Sequence, residues 1–191
     1  SASAVKVGGG MLRLFALQKG DSILGSAIGS AKHFNPQYGY FECRAQLQKS
    51  IGIWAAFWLQ SPEIFKGEDP SKFGTEMDIF EFFREMGNDT ITHALHWAYG
   101  PNMKSIGPMK SYVKGLSEGF HTFGFEWTPE KYSFFIDGYK FHEQTTGISN
   151  IPEYLILSME LPETMKSLEK TVFPDVFMVD WVKVYQKKQT N

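Results

Sequence analysis

The sequence predicts an all-β fold, a sandwich or a barrel, on three observations. Apolar and polar residues alternate over short runs rich in aromatic and β-branched types. Gly, Pro, Asn and Asp interrupt those runs at short intervals, and few stretches fit a long helix. Regularly spaced strands without intervening helices form sheets that pack on one another. The chain has 191 residues, 42% of them hydrophobic and 16% aromatic. That is enough for one core without staples, so a single domain over 1–191 is expected.

The elements follow in order along the chain. Residues 11–17 read as a strand after Gly8-Gly9-Gly10, a glycine run without the Lys-Ser/Thr and helix of a phosphate loop. Residues 39–47 alternate cleanly, which puts Tyr40, Glu42, Arg44 and Gln46 on one face and apolar side chains on the other. The longest apolar run, residues 51–59, is far shorter than the roughly 20 residues that cross a bilayer, so no membrane partner is expected. Residues 61–75 and 99–119 carry Pro, Gly, Lys and Ser and read as long surface loops, the places where sheet scaffolds carry function. Residues 123–127 and 132–136 form two strands of a meander, and Asp137-Gly138 supplies the next hairpin turn. Residues 154–159 and 177–185 are the last two strands, with a polar loop between them.

Composition excludes several functions. The one cysteine, Cys43, allows neither an internal disulfide nor a four-cysteine zinc site, and leaves the redox compartment open. Lys and Arg total 19 against 21 Asp and Glu, a formal net charge of -2, which argues against nucleic acid as the main partner. The first residues lack a basic start followed by an apolar stretch, so no signal peptide is read in the sequence given.

The most informative stretch is Glu76-Met77-Asp78-Ile79-Phe80-Glu81, three carboxylates among strand-favouring residues. On a regular strand Glu76 and Asp78 share a face and Glu81 points the other way. One extra residue between Asp78 and Glu81, a β-bulge, restores the parity and sets all three in a row. A helix would scatter them around its axis. Three neighbouring carboxylates repel one another unless protons are shared or the charge is used. Cleavage of a glycosidic bond uses it: a retaining glycosidase pairs an ionised carboxylate nucleophile with a protonated carboxyl acid about 5 to 5.5 Å away. In that scheme Asp78 orients Glu76 and raises the pKa of Glu81 through like-charge coupling. An acidic strand face paired with Lys or Arg is the plain alternative. Calcium binding is another, although the segment lacks the Gly and Asn/Asp density of a calcium loop.

The row and its flanks resemble glycoside hydrolase family 16, in its laminarinase-like branch with a bulged Glu-x-Asp-x-x-Glu motif. Tyr38-Gly39-Tyr40-Phe41-Glu42-Cys43-Arg44-Ala45 is similar to the family's Tyr-Gly-x-Phe-Glu-x-Arg-x strand, and Gly52-Ile53-Trp54-Ala55-Ala56-Phe57-Trp58-Leu59 to its Gly-x-Trp-Pro-Ala-Phe-Trp strand. Residues 120–129, 135–138 and 179–185 resemble later family strands in the expected order.

The resemblance implies a concanavalin-like β-sandwich, a jelly roll of two antiparallel sheets with a concave glycan-binding cleft. It also implies retaining endo-hydrolysis of a β-linked polysaccharide, with no cofactor in the chemistry. Glu76 is then the nucleophile, Asp78 the assisting acid and Glu81 the general acid/base. Trp54, Trp58 and Trp127 are expected as sugar platforms, Glu42 and Arg44 as partners of sugar hydroxyls, and His96 beside the row. Each has a structural alternative: the tryptophans as core, with Trp97 and Trp181 leaning further that way, and Glu42 with Arg44 as a local charge network. His93 and His96 are three apart, on opposite faces of a strand, so they do not form a two-histidine metal site.

The sequence also departs from the family. Ala55 replaces the proline of the Trp strand, and Ser158-Met159-Glu160-Leu161-Pro162 stands where many members have an Asn-rich or Gly-rich strand end, leaving Glu160 as a substrate contact or a loop acid. The first residues align near the family's second strand, so the opening N-terminal segment is expected to be absent. That bears on a structural calcium, which members hold through the Asp matching Asp180 and backbone oxygens near the N-terminus.

The expected activity is a secreted, extracellular or periplasmic, monomeric endo-glycosidase acting on a β-1,3-glucan of the laminarin type or a mixed-linkage glucan. A β-galactan such as agarose, porphyran or carrageenan is the enzymatic alternative. A non-catalytic, lectin-like carbohydrate-binding domain is the alternative from another class, but binding alone gives no reason to keep Glu76, Asp78 and Glu81 together. A purely structural sandwich leaves the row unexplained too.

Overall fold

The computed structural model describes residues 1–188. In chain order the strands are β1 (Val5–Gly8), β2 (Met11–Lys19), β3 (Ser22–Leu24), β4 (Ser26–Gly29), β5 (Gly39–Gln46), β6 (Trp54–Gln60), β7 (Glu76–Phe83), β8 (Thr90–Trp97), β9 (Lys104–Tyr112), β10 (His121–Trp127), β11 (Tyr132–Ile136), β12 (Tyr139–Gln144), β13 (Tyr154–Glu160) and β14 (Asp175–Tyr185). A single helical turn, α1 (Pro70–Phe73), lies between β6 and β7, capped by the Asp69 carboxylate, which accepts from the Ser71 N–H.

The strands form two antiparallel sheets. One has the order β1-β2-β14-β5-β10-β11-β12 with β3 added to β2, and the other has the order β4-β13-β6-β7-β8-β9. The expected meander is β10-β11-β12, and Asp137 and Gly138 take the positive φ values, 50° and 81°, that its tight turn needs. The glycine run is the β1–β2 hairpin: Gly8 pairs with Met11, while Gly9 and Gly10 sit at φ 59° and 75°. Residues 99–119 differ from the expected loop, because β9 forms there as the edge strand. Gly107 and Pro108 hid its alternation, and Pro is tolerated at an edge where one N–H faces away from the ladder.

The apolar faces of the two sheets close on one another. Phe41, Cys43, Phe123, Phe125, Phe134 and Phe177 from the first sheet meet Phe57, Leu59, Met77, Phe80, Phe82 and Leu95 from the second in one cluster of buried residues. Phe80 and Phe123 stand 4.2 Å apart at their ring centroids across the interface. Each fully buried ring of this kind stabilises by roughly 1.5–3 kcal/mol over exposure, so the outer faces are left free for polar work. Their residues need not pack.

Candidate active site

β7 carries the carboxylate row, and its register shows how. Against β6, Phe57 pairs with Phe80 and Trp58 with Asp78, so Ile79 is the residue without a partner. Against β8, Asp78 pairs with Ala94 and Glu81 with Thr92, so two residues of β7, Ile79 and Phe80, stand opposite the single His93. Ile79 is therefore the extra residue of the bulge, and Glu76, Asp78 and Glu81 share the outer face while Met77, Phe80 and Phe82 enter the core.

A bulge frees backbone groups from the ladder, and buried ones need other partners. Here His93, reaching inward from β8, places Nδ1 2.5 Å from the Ile79 carbonyl oxygen and Nε2 2.8 Å from Ser111 Oγ. A carbonyl only accepts, so the network assigns the proton to Nδ1, and the Ser111 hydroxyl donates to Nε2. Burial lowers the His93 pKa to about 4, which keeps this tautomer neutral.

The start of β7 is held as firmly. Gly74 sits at φ +90° against Ser61 and Glu153, where a side chain would clash. Thr75 donates its N–H to Glu153 Oε1 at 2.9 Å and its hydroxyl to the Gly147 carbonyl at 2.6 Å. Glu153 is fully buried, its Oε2 has no partner, and burial pushes its carboxyl up to about 8.

Each acid of the row has its own surroundings. Glu76 Oε2 accepts from Gln60 Nε2 at 2.6 Å, and Gln60 Oε1 accepts from the Tyr154 hydroxyl at 2.8 Å, which fixes the amide's orientation. The Tyr99 hydroxyl also faces Glu76 and favours its anion. Asp78 is buried, with Oδ2 3.3 Å from His96 Nε2, and His96 Nδ1 is 2.7 Å from Ser105 Oγ. The Trp54 indole N–H faces Glu81 and favours its anion.

Burial raises all three carboxyls, and the charge of Asp78 raises Glu76 and Glu81 further, while His96 opposes the rise in Asp78. Glu81 is pushed up to about 8, first by burial and then by the charge of Asp78, so burial rather than like-charge coupling leads. Glu76 is raised by burial and by Asp78, opposed by hydrogen bonds from Tyr99 and Gln60 and by the charge of His96. The bond to Asp78 raises His96 in turn. The row thus sets a Glu81 pushed up to about 8 beside a Glu76 in which Gln60 and Tyr99 favour the anion against burial, two differently held carboxyls on one face. Glu76, Asp78 and His96 also bring one ligand atom each within 4.8 Å of one another, the one such grouping among the described residues.

Of the other expected site residues, Trp54, Trp58 and His96 stand on the face of the row. Trp54 packs on Phe83 at 5.1 Å, and the Trp58 indole donates to Ser158 Oγ at 3.1 Å. Glu160 ends β13 opposite Trp54 on the same sheet.

Four expected residues lie elsewhere. Trp127 is 1% exposed in the core, against Phe41, Tyr38 and Tyr132, with its indole N–H donating to the Ser149 carbonyl, so it is no sugar platform. Glu42 and Arg44 are on β5, whose polar side is the outer face of the other sheet, so neither reaches the row. Arg44 instead pairs with Asp180 at 2.6 Å and lies over the Phe120 ring. In this structure the Asp180 carboxylate, the expected calcium ligand, has the Arg44 guanidinium as partner of its Oδ2. Trp97 is core, whereas Trp181 is partly exposed under the Lys183 ammonium.

Gln60, Tyr99, Tyr154 and Glu153 escaped the sequence reading. Gln60 shares strand parity with Trp54 and Trp58 and was within reach of the period-2 argument; the others come from distant segments and carry no local signal. Away from the row, a cavity of about 580 Å³ at the sandwich edge is lined mainly by apolar residues such as Phe34, Phe57 and Leu157, with none of the acid–base groups.

Comparison with known proteins agrees with this geometry. A "Beta-glucanase" of Acetivibrio thermocellus is 30% identical over 122 residues, 64% of this chain and 34% of that protein, so the chain spans about a third of that relative's length. A "Glucan endo-1,3-beta-glucosidase" of Cryptopygus antarcticus is 31% identical over 110 residues, 56% of this chain and 40% of that one. The crystal structure of a laminarinase from Flavobacterium sp. UMI-01 superposes with a TM-score of 0.78 at 25% identity, covering 97% of this chain and 83% of that one. The sequence model of Glycosyl hydrolases family 16 matches residues 3–183, nearly the whole sandwich with the bulged row inside it, and the chain belongs to that family.

Proposed function

We propose that the chain is a retaining endo-glycosidase that hydrolyses a β-glucan, of the laminarin type or with mixed linkages. The observation that carries this reading is the convergence of two differently held carboxyls on one strand face. Burial pushes Glu81 up to about 8, while Glu76, also raised by burial, accepts from Gln60 Nε2 at 2.6 Å, a bond that favours its anion. A retaining enzyme needs that pair.

In the first step a Glu76 carboxylate oxygen attacks the anomeric carbon as Glu81 gives its proton to the departing glycosidic oxygen, leaving a glycosyl ester on Glu76. Glu81, now ionised, takes a proton from water, whose oxygen attacks the same carbon and releases Glu76. Asp78 and His96 keep the row's charge balanced, and Trp54 and Trp58 offer apolar surface to the sugar rings. The chemistry takes no cofactor. The substrate is a polymer outside the cell, so a secreted, monomeric enzyme completes the proposal.

The test is reducing-end release from laminarin, mixed-linkage glucan, agarose, porphyran and carrageenan, by the wild type and by Glu76→Gln. Cleavage of a β-glucan that vanishes in the variant is expected. Glycan binding without turnover on any polymer contradicts the enzymatic reading, and cleavage of a galactan alone contradicts the substrate.

A further inference from the structure

Phe65, in the segment after β6, is 73% exposed, a large apolar ring left in water. Its position is nevertheless well determined. Its ring meets that of Tyr99 edge-on, with centroids 5.2 Å apart and planes at 66°. The segments carrying the two rings are tied again where Asn102 Nδ2 donates to Glu68 Oε1 at 2.6 Å. Tyr99 in turn faces Glu76, whose anion its hydroxyl favours. Phe65 is thus one aromatic contact removed from the row, at its Glu76 end.

Other exposed apolar residues, such as Val7 and Val172, have no such link to the row. A rigid aromatic surface beside a polar site is suited to a ligand with an apolar face and a hydroxylated rim. A neutral pyranose is such a ligand: its axial C–H groups cover the ring while its hydroxyls stay in water.

We infer that Phe65, braced by Tyr99, is a sugar-stacking platform that holds a β-glucan chain where it extends past the Glu76 end of the row. The inference rests on the proposed glycan substrate and adds a contact for units beyond the bond being cleaved. Such a contact matters for long chains and little for short ones. It also gives a reason for the two segments to be tied to each other there.

The experiment compares the wild type, Phe65→Ala and Phe65→Trp on laminarin and on a ladder of laminari-oligosaccharides. It is paired with affinity electrophoresis in laminarin gels, which reads binding without turnover. For Phe65→Ala, KM on laminarin is expected to rise about 5–10-fold. The rise should shrink as the oligosaccharide shortens, gel retardation should weaken, and Phe65→Trp should restore both. An unchanged KM at every chain length, or a fall in kcat and melting temperature without weaker binding, overturns the platform and leaves Phe65 as a support for Tyr99. If the wild type cleaves no glucan yet is retarded through Phe65, the platform stands and the enzymatic reading fails.

Discussion

The Nδ1 of His93 stands 2.5 Å from the carbonyl oxygen of Ile79, the residue that the β6–β7 register skips between Asp78 and Phe80. One imidazole in the core thus holds the irregularity that turns Glu81 to the face of Glu76 and Asp78. With Nε2 on Ser111, His93 satisfies two buried groups at once.

Removing that imidazole tests the bulge. His93→Phe keeps the volume but strands the Ile79 carbonyl and the Ser111 hydroxyl, at a cost of about 1–3 kcal/mol per unsatisfied group. Urea unfolding should show a loss of that size, with a fall in kcat as Glu81 loses its register. Full stability and full kcat in His93→Phe contradict the role.

With Glu81 as the proposed acid, Glu81→Gln should lower kcat on laminarin by about 10²–10⁴-fold. An aryl glucoside whose leaving group departs without protonation should be spared at the bond-breaking step, which a pre-steady-state burst reads. Equal losses on both substrates contradict general acid catalysis by Glu81.

Activity should fall as pH rises through about 8, where Glu81 loses its proton. The charge of Asp78 raises Glu81 more than the opposing charge of His96 lowers it. Asp78→Asn should therefore move this limb of kcat/KM to lower pH. A limb that stays in place, or rises, counts against the coupling.

Gln60 donates to Glu76 and is itself oriented by Tyr154. Gln60→Ala removes a bond that favours the Glu76 anion, so the acidic limb of the pH profile should move up and kcat/KM should fall about 10-fold or more. A lower kcat/KM with an unmoved acidic limb leaves Gln60 a packing role only.

Glu153 titrates in the folded state at about 8, above the ordinary 4.5 of an unfolded chain. Its protonated form is the one the fold accommodates. The stability it confers is complete below about 4.5 and is lost as pH rises through about 8. Glu153→Gln keeps the acceptor for the Thr75 N–H and removes the ionisation, so its melting temperature should decline less than the wild type's across that range. Parallel declines contradict a titrating Glu153.

The bulge was legible because strand parity is arithmetic: Asp78 and Glu81 are three apart, and only one extra residue lets them share a face. The same arithmetic identified the polar face of Tyr40, Glu42 and Arg44 but not the sheet it belongs to, and pairing with β14 and β10 puts it on the far side of the molecule. Trp127 carries the parity of Phe123 and Phe125, both core, so alternation points it inward, against the sugar platform expected of it. The Gln60–Tyr154 pair joins residues 94 apart in sequence, and no local pattern announces a contact of that kind.

The most direct measurement is proton NMR of the anomeric centre during the first minutes of laminarin hydrolysis by the wild-type chain. Attack by Glu76 followed by attack of water inverts the centre twice, so the new reducing ends should appear first as the β anomer and then mutarotate. New ends that appear first as the α anomer, or no new ends at all, contradict a double displacement on the Glu76–Glu81 pair.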